Sequence, residues 1–236
     1  FRLTLISVHL EIQQVPSILV RFDWLEKSIM FVLNTRRAAL KMWFLLSNYF
    51  CNSEDFFFLS GWLTPCDRKS IMDRIILLEK ASRPRNLVST QVVEAGVDLD
   101  FDLVFRDIAP LDSIVQVAGR CNRHMSGFVG QVVVFEMVDE NGKHCARYVY
   151  DKVLLNITKA VLGLIDATVS EEVTYLESEV RDILEKYYKN LRTRWKTAVP
   201  GLKFKREIGI VFRRLLRSLN MRVLSLSIET EAFPPQ

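Results

Sequence analysis

Nine glycines are scattered through 236 residues, and none is followed by Lys-Ser or Lys-Thr. The pattern G-x-x-x-x-G-K followed by Ser or Thr cradles phosphates with its backbone amides and reaches magnesium with its hydroxyl. It is absent here, so these residues carry no nucleotide-cradling loop of that type. No strand ends in an Asp-Glu-x-His box either. The only three histidines, His9, His124 and His144, have no metal-like spacing, and a His-Asp nuclease centre cannot be built from them. The four cysteines, Cys51, Cys66, Cys121 and Cys145, contain no close pair of the zinc type. A chain of this size needs no disulfide staples, so they read as reduced thiols of a cytoplasmic protein. No metal site is expected. No apolar run approaches the ~18–20 residues of a membrane helix, so no membrane partner is expected. The opening FRLTLISVHLEIQQVPSILV is not a secretory signal, because Arg2 and Glu11 flank and interrupt its apolar run. It lacks an initiator Met, so a fragment of a longer protein is expected.

What is present is an ordinary globular balance, 49% apolar and 25% charged residues. Compact apolar runs alternate with helical patterns. SIMFVLN, DFFFLSG, RNLVST, LVFRDI and GQVVVFEM read as strands. RRAALKMWFLLSNYF, TPCDRKSIMDRIILLEK and LDSIVQVAGRCNR read as helices between them. On the first of these helices Ala39, Trp43 and Leu46 recur along one face. On the second, Thr64 is a plausible cap, with Pro65 at the first position and Asp67 in the first turn. Such alternation predicts an α/β fold, a parallel sheet with helices on both faces. Ligands of such sheets bind outside the carboxyl ends of the strands. Asn34-Thr35, Ser60-Gly61 and Ser89-Thr90-Gln91 follow three strands and would line that edge; alternatively, they are caps and turns.

The segment Gln116-Val117-Ala118-Gly119-Arg120-Cys121-Asn122-Arg123 carries the densest chemistry. On a continuous helix, Gln116, Gly119, Arg120 and Arg123 share one face. Gly119 would cost such a helix ~1 kcal/mol relative to Ala, so its smallness would need a reason. Two guanidiniums beside a glycine suit a phosphate chain. A solvated basic face paired with Asp107 or Asp112 is the alternative. Upstream, Ser89 and Thr90 offer hydroxyls and amides to a nucleic-acid phosphate. Gly96 and Asp98 follow, and Asp98 reads either as an acceptor from a ribose hydroxyl or as a loop acid.

STQVVEAGVDLDFD resembles motif V of superfamily 2 helicases, and QVAGRCNR resembles motif VI. VLNTRRAA is similar to motif IV of the second RecA-like domain, and FFFLSGWLTPCDRKSIMDRI to the segment after it. The wording VSTQVVEAGVDLDFDLVFRDIAPLDSIVQVAGRCNR resembles the CRISPR-associated helicases of type I interference systems, over about Ser28 to Met137. The resemblance implies a RecA-like sheet and assigns roles. Arg123 matches the arginine finger at the gamma-phosphate, and Arg120 its neighbour at the same phosphates. Gln116, Gly119, Gly96 and Asp98 match nucleotide-side positions. Thr90, with Gln91 and Ser89, matches the hold on the DNA backbone, and Asn34 and Thr35 the motif IV contact. Val117 stands where many superfamily members carry another arginine. The implied cofactors are ATP and Mg2+, bound mainly by a first RecA-like domain, in cis or in trans. The implied partners are that domain, single-stranded DNA, a His-Asp nuclease and a CRISPR surveillance complex.

After Met137 helical patterns dominate: ARYVYDKVLLNITKAVLGLI, EEVTYLESEVRDILEKYYKNLRTRW and REIGIVFRRLLRSLN. From Arg181 to Arg222 there are 13 Lys/Arg and 3 Asp/Glu, a local charge of +10; the chain total of +4 leaves −6 elsewhere. This stretch is either a track for single strands or an amphipathic docking element with a solvated basic face. The expected organisation is a leading strand and helix over 1–27, the second RecA-like domain over 28–145, and a helical, basic extension over 146–236. The expected function is half of an ATP-dependent DNA translocase, inactive alone. An RNA helicase and a non-catalytic nucleic-acid-binding module are the alternatives.

Overall fold

The apolar runs lie side by side as strands in the computed structural model of the chain. It describes residues 1–22, 24, 26–48, 55–94, 98–122, 129–164 and 172–198. The chain divides into two units, Phe1–Pro200 and Gly201–Gln236, and the second lies outside the described residues. The expected helix REIGIVFRRLLRSLN falls there.

Seven strands form one sheet: β1 (Arg2–Leu10), β2 (Ile29–Val32), β3 (Phe56–Leu59), β4 (Asn86–Ser89), β5 (Leu103–Asp107), β6 (Gln131–Met137) and β7 (Glu172–Leu176). Their order is β3-β4-β2-β5-β6-β1-β7. All neighbours are parallel except β1 and β7. The chain leaves β2 toward β3 and leaves β5 toward β6, in opposite directions along the sheet. The carboxyl ends of β2 and β5 therefore flank a topological switch point, where open α/β sheets place their ligands.

Both faces are covered. Ile29, Phe31 and Leu33 join a buried cluster with α1 (Val15–Leu19) and α2 (Arg36–Ser47). The alternate residues Met30 and Val32 are buried as well, as period-two strands covered on both sides require. Phe31 stacks on Phe105 with centroids 4.9 Å apart. Three further helices, α4 (Leu111–Ala118), α5 (Lys152–Val161) and α6 (Glu177–Ala198), pack together, α6 against both α4 and α5. On α2 the buried stripe is Ala38, Ala39, Met42 and Leu46, spaced as one helical face. Trp43, expected on that face, sits at its rim and stacks on Phe56.

The helix α3 (Pro65–Lys80) starts as its sequence dictates. Pro65 stands at its beginning, and the Thr64 hydroxyl accepts from the Asp67 amide. Little of this helix is buried, Ile75 being its one buried residue, so its cap matters. Thr64→Ala is expected to destabilise the protein by ~1 kcal/mol, read as a lower urea midpoint at unchanged slope.

Two expectations change. EEVTYL was expected to be helical, yet Glu172–Leu176 is β7, antiparallel to β1. The alternating Val173 and Tyr175, with Thr174 between them, suit a half-covered edge strand better than a helix. β1 and β7 both lie outside 28–145, yet both belong to this sheet. The helix that starts at Leu111 is also shorter than expected. α4 ends at Ala118, with Gly119 as its C-cap, so Gln116, Gly119 and Arg120 do not share a continuous helical face. Gly119 is not mid-helix, so the helix bears no interior-glycine cost there.

Candidate functional site

The end of α4 is set by backbone pairing. The amides of Gly119, Arg120 and Cys121 turn back onto Val115, Val117 and Ala118, tightening the last turn. The chain then straightens against Phe101, two residues before β5. Phe101 donates to the Arg120 carbonyl, and the Asn122 amide donates to the Phe101 carbonyl. Asn122 takes a φ of 50°, a left-handed conformation that Asn tolerates better than most residues. Gly130 passes so close that a Cβ there would stand 2.7 Å from Cys121 Sγ and from Asn122 Cβ. Arg120 is therefore held by a clamped corner rather than by a helix. Its Nη2 donates to the Glu94 carbonyl at 3.2 Å, tying motif VI to motif V. Gln116 and Gly119 are half-buried beside it, and Asp98 is exposed. Gly96 and Arg123 lie outside the described residues.

The strand-end residues come together at the carboxyl edge as expected, but most turn inward. Ser89 is fully buried, and its hydroxyl donates to the Leu59 carbonyl. Asn34 is 2% exposed; its Nδ2 donates to the Ile108 carbonyl across the switch point, and its Oδ1 accepts from Arg106. Thr35 caps α2 through its hydroxyl. Thr90 is buried, and its amide donates to Leu59. Gln91 is half-buried and donates to the Asn34 carbonyl at 2.7 Å. Ser60 holds the turn after β3 by accepting from the Trp62 amide. Thus the side chains of Ser89 and Asn34, expected to face a nucleic acid, instead brace the edge from beneath. Buried polar groups need partners, and the nearest are neighbouring strand ends. The exposed groups near this edge include Arg36 and Trp62, with the guanidinium 5.2 Å from the ring centroid and Trp62 54% exposed.

Sequence reasoning passed over Arg106 and Glu94. Arg106 is fully buried in β5, beneath α4. Its Nη2 meets Glu94 Oε1 at 3.1 Å, and Glu94 also accepts from the Ser113 hydroxyl at 2.6 Å. Burial holds the Glu94 carboxyl above its usual range, with Arg106 opposing. An arginine inside a strand covered on both faces must find acceptors, and that was the readable signal. Asp107 faces the other way. It is fully buried and accepts from the Met137 amide, so it cannot serve as surface partner to the motif VI arginines. Burial pushes its carboxyl up to about 7.

Among the described residues no group of three or more His, Cys, Asp or Glu side chains converges to hold a metal ion. Cys121 and Cys145 are buried free thiols and Cys66 is exposed. No described helix is long and apolar enough to cross a membrane. What the corner holds in place is a cation, Arg120, a group whose chemistry suits phosphate oxygens.

Residues 26–126 match the family model for the C-terminal part of the CRISPR-associated nuclease/helicase Cas3. The Cas3 nuclease/helicase of Haloferax volcanii is 52% identical over 83 residues, 34% of this chain and 9% of that protein. The crystal structure of T. fusca Cas3 with ATP superposes with a TM-score of 0.65 at 21% identity, over 93% of this chain and 27% of that one. A CRISPR RNA-guided surveillance complex in a pre-nicking state contains a chain with a TM-score of 0.61 at 22% identity, over 93% of this chain and 28% of that one. At these identities the two structures speak to the fold. The chain spans a minor part of its relatives' lengths. Over residues 26–126 the chain is thus similar to the C-terminal part of the CRISPR-associated nuclease/helicase Cas3.

Proposed function

We propose that this chain is the second RecA-like half of an ATP-dependent translocase on single-stranded DNA that acts in CRISPR interference. One observation carries the reading. The loop after β4 joins two surfaces, with Gln91 bonded to the Asn34 carbonyl at the strand-end edge and the Glu94 carbonyl bonded to Arg120. A motor needs these two surfaces, one for nucleic acid and one for nucleotide, within one rigid unit.

On the nucleotide side, Arg120 and Arg123 supply positive charge where negative charge grows on a transferring phosphoryl group. Gln116, Gly119, Gly96 and Asp98 shape that surface. ATP with Mg2+ would be held mainly by a first RecA-like domain, and the ion would offset phosphate charge there. On the nucleic-acid side, the backbone around Thr35, Thr90 and Gln91 meets phosphates, braced by Asn34 and Ser89. Trp62 and Arg36 offer a base a stacking surface. A nuclease/helicase relative, a Cas3 structure with ATP and a chain of an RNA-guided surveillance complex support ATP, a nuclease and such a complex as partners of the whole protein.

ATP hydrolysis with and without single-stranded DNA, measured on this chain alone and on the full-length protein, tests the reading. The chain alone is expected to be silent and the full-length protein to be DNA-stimulated. Substantial turnover by the chain alone would overturn the half-site assignment. Equal stimulation by RNA would favour an RNA motor, and a silent full-length protein a non-catalytic module.

A further inference from the structure

Arg106 makes six hydrogen bonds while fully buried. Nη1 donates to the carbonyls of Val32 and Asp107 and to Asn34 Oδ1; Nη2 donates to Glu94 Oε1, Ser113 Oγ and the Tyr150 hydroxyl. These partners belong to different parts of the fold. Asn34 is the turn after β2, Glu94 the loop after β4, Ser113 the first turn of α4, and Tyr150 the segment before α5. The two ends of the network emerge on the two working surfaces. Asn34 receives Gln91 at its carbonyl on the strand-end side, and Glu94 receives Arg120 at its carbonyl on the phosphate side.

Stability alone does not account for such a group. Desolvating a guanidinium and a carboxylate offsets most of what their pairing returns, and apolar replacements of similar volume are often no less stable. What a planar fork provides is geometry: fixed directions to several acceptors at once, which a lysine's single ammonium cannot reproduce. The motif IV turn and the motif V loop are not covalent neighbours; Gln91 bonds them at the edge, and Arg106 ties Asn34 to Glu94 from beneath.

We propose that Arg106 is a positioning residue that locks the motif IV turn to the motif V loop, so that nucleotide binding at the Arg120 corner changes affinity for single-stranded DNA at the strand-end edge. This rests on the motor reading above and names the residue through which its two surfaces are coupled. Coupling of this kind is reciprocal and commonly amounts to ~5–150-fold in affinity.

The test uses the full-length protein, fluorescein-labelled oligothymidylate and a non-hydrolysable ATP analogue. The readout is the ratio of DNA dissociation constants with and without the analogue, a quantity that a uniform loss of stability leaves unchanged. The wild-type ratio is expected to differ from one by at least ~5-fold. Arg106→Lys is expected to bring it within about two-fold of one, because a point charge cannot hold both loops. Tyr150→Phe removes only one hydroxyl at the network's rim; it is expected to fold normally and give an intermediate ratio, and it decides the matter alone if Arg106→Lys does not fold. Wild-type ratios in these variants would overturn the inference while leaving the motor reading intact. A wild-type ratio of one would overturn the inference, and DNA-stimulated ATP hydrolysis in the same preparation would show whether the motor reading falls with it.

Discussion

Arg123→Ala in the full-length protein is expected to slow DNA-stimulated ATP hydrolysis by ~10³–10⁵-fold, the range over which arginine fingers act in phosphoryl transfer. The expectation follows from order along the chain. Arg123 stands three residues beyond Arg120, and the backbone between them is clamped as far as Asn122. A guanidinium that meets phosphate oxygens as charge grows on them stabilises the transition state more than the ground state, so its removal is felt in the rate. DNA binding without nucleotide and the thermal midpoint should stay close to wild type, since the Phe101 pairing is made by backbone atoms. Arg120→Ala differs, because its guanidinium also holds the Glu94 carbonyl. It should raise KM for ATP as well as lower kcat. A loss below ten-fold for Arg123→Ala would remove it from the catalytic role.

Asp107→Asn is expected to change how stability depends on pH. Burial raises the Asp107 carboxyl from 3.8 to about 7 in the folded protein. Between those values the folded state keeps a proton that the unfolded state has released. The stabilisation is therefore complete below about pH 4 and is lost as pH rises through 7. A tenfold difference in proton affinity between the two states corresponds to ~1.4 kcal/mol, so the wild type should lose ~4 kcal/mol at most relative to Asp107→Asn between pH 4 and pH 8. Comparing the two proteins removes the contribution of other titrating groups. Denaturant midpoints at several pH values would show it, the two curves converging or crossing as pH rises. Curves that stay parallel would mean that Asp107 is already ionised in the fold. The position gives this a structural meaning: Asp107 Oδ1 accepts from the Met137 amide, joining β5 to the end of β6.

The strand ends show why part of the site was legible and part was not. Asn34, Thr35, Ser89, Thr90 and Gln91 could be placed on one edge from the alternation of strands and helices, because a parallel sheet brings the carboxyl ends of its strands together. Which of them face outward could not be read, because that depends on what each amide and hydroxyl finds nearby. Ser89 found the Leu59 carbonyl, and Asn34 found Ile108 and Arg106. Arg36 and Trp62 were visible as residues, but their pairing between the start of α2 and the turn after β3 was not.

The sequence by itself determined the strands β2 to β6, the cap at Thr64, the RecA-like class and the motif run that carries the similarity to Cas3. Those depend on local periodicity, capping chemistry and the order of residue types. Only the tertiary structure decided that β1 and β7 complete the sheet, that α4 stops at Gly119, and that Arg106 joins Asn34 to Glu94. Each depends on a partner distant in the chain: β6 for β1, Phe101 for the residues after Gly119, and acceptors from several elements for a buried guanidinium. A one-dimensional pattern records that a charge lies in an apolar strand; which groups neutralise it is settled only when the chain has closed around it.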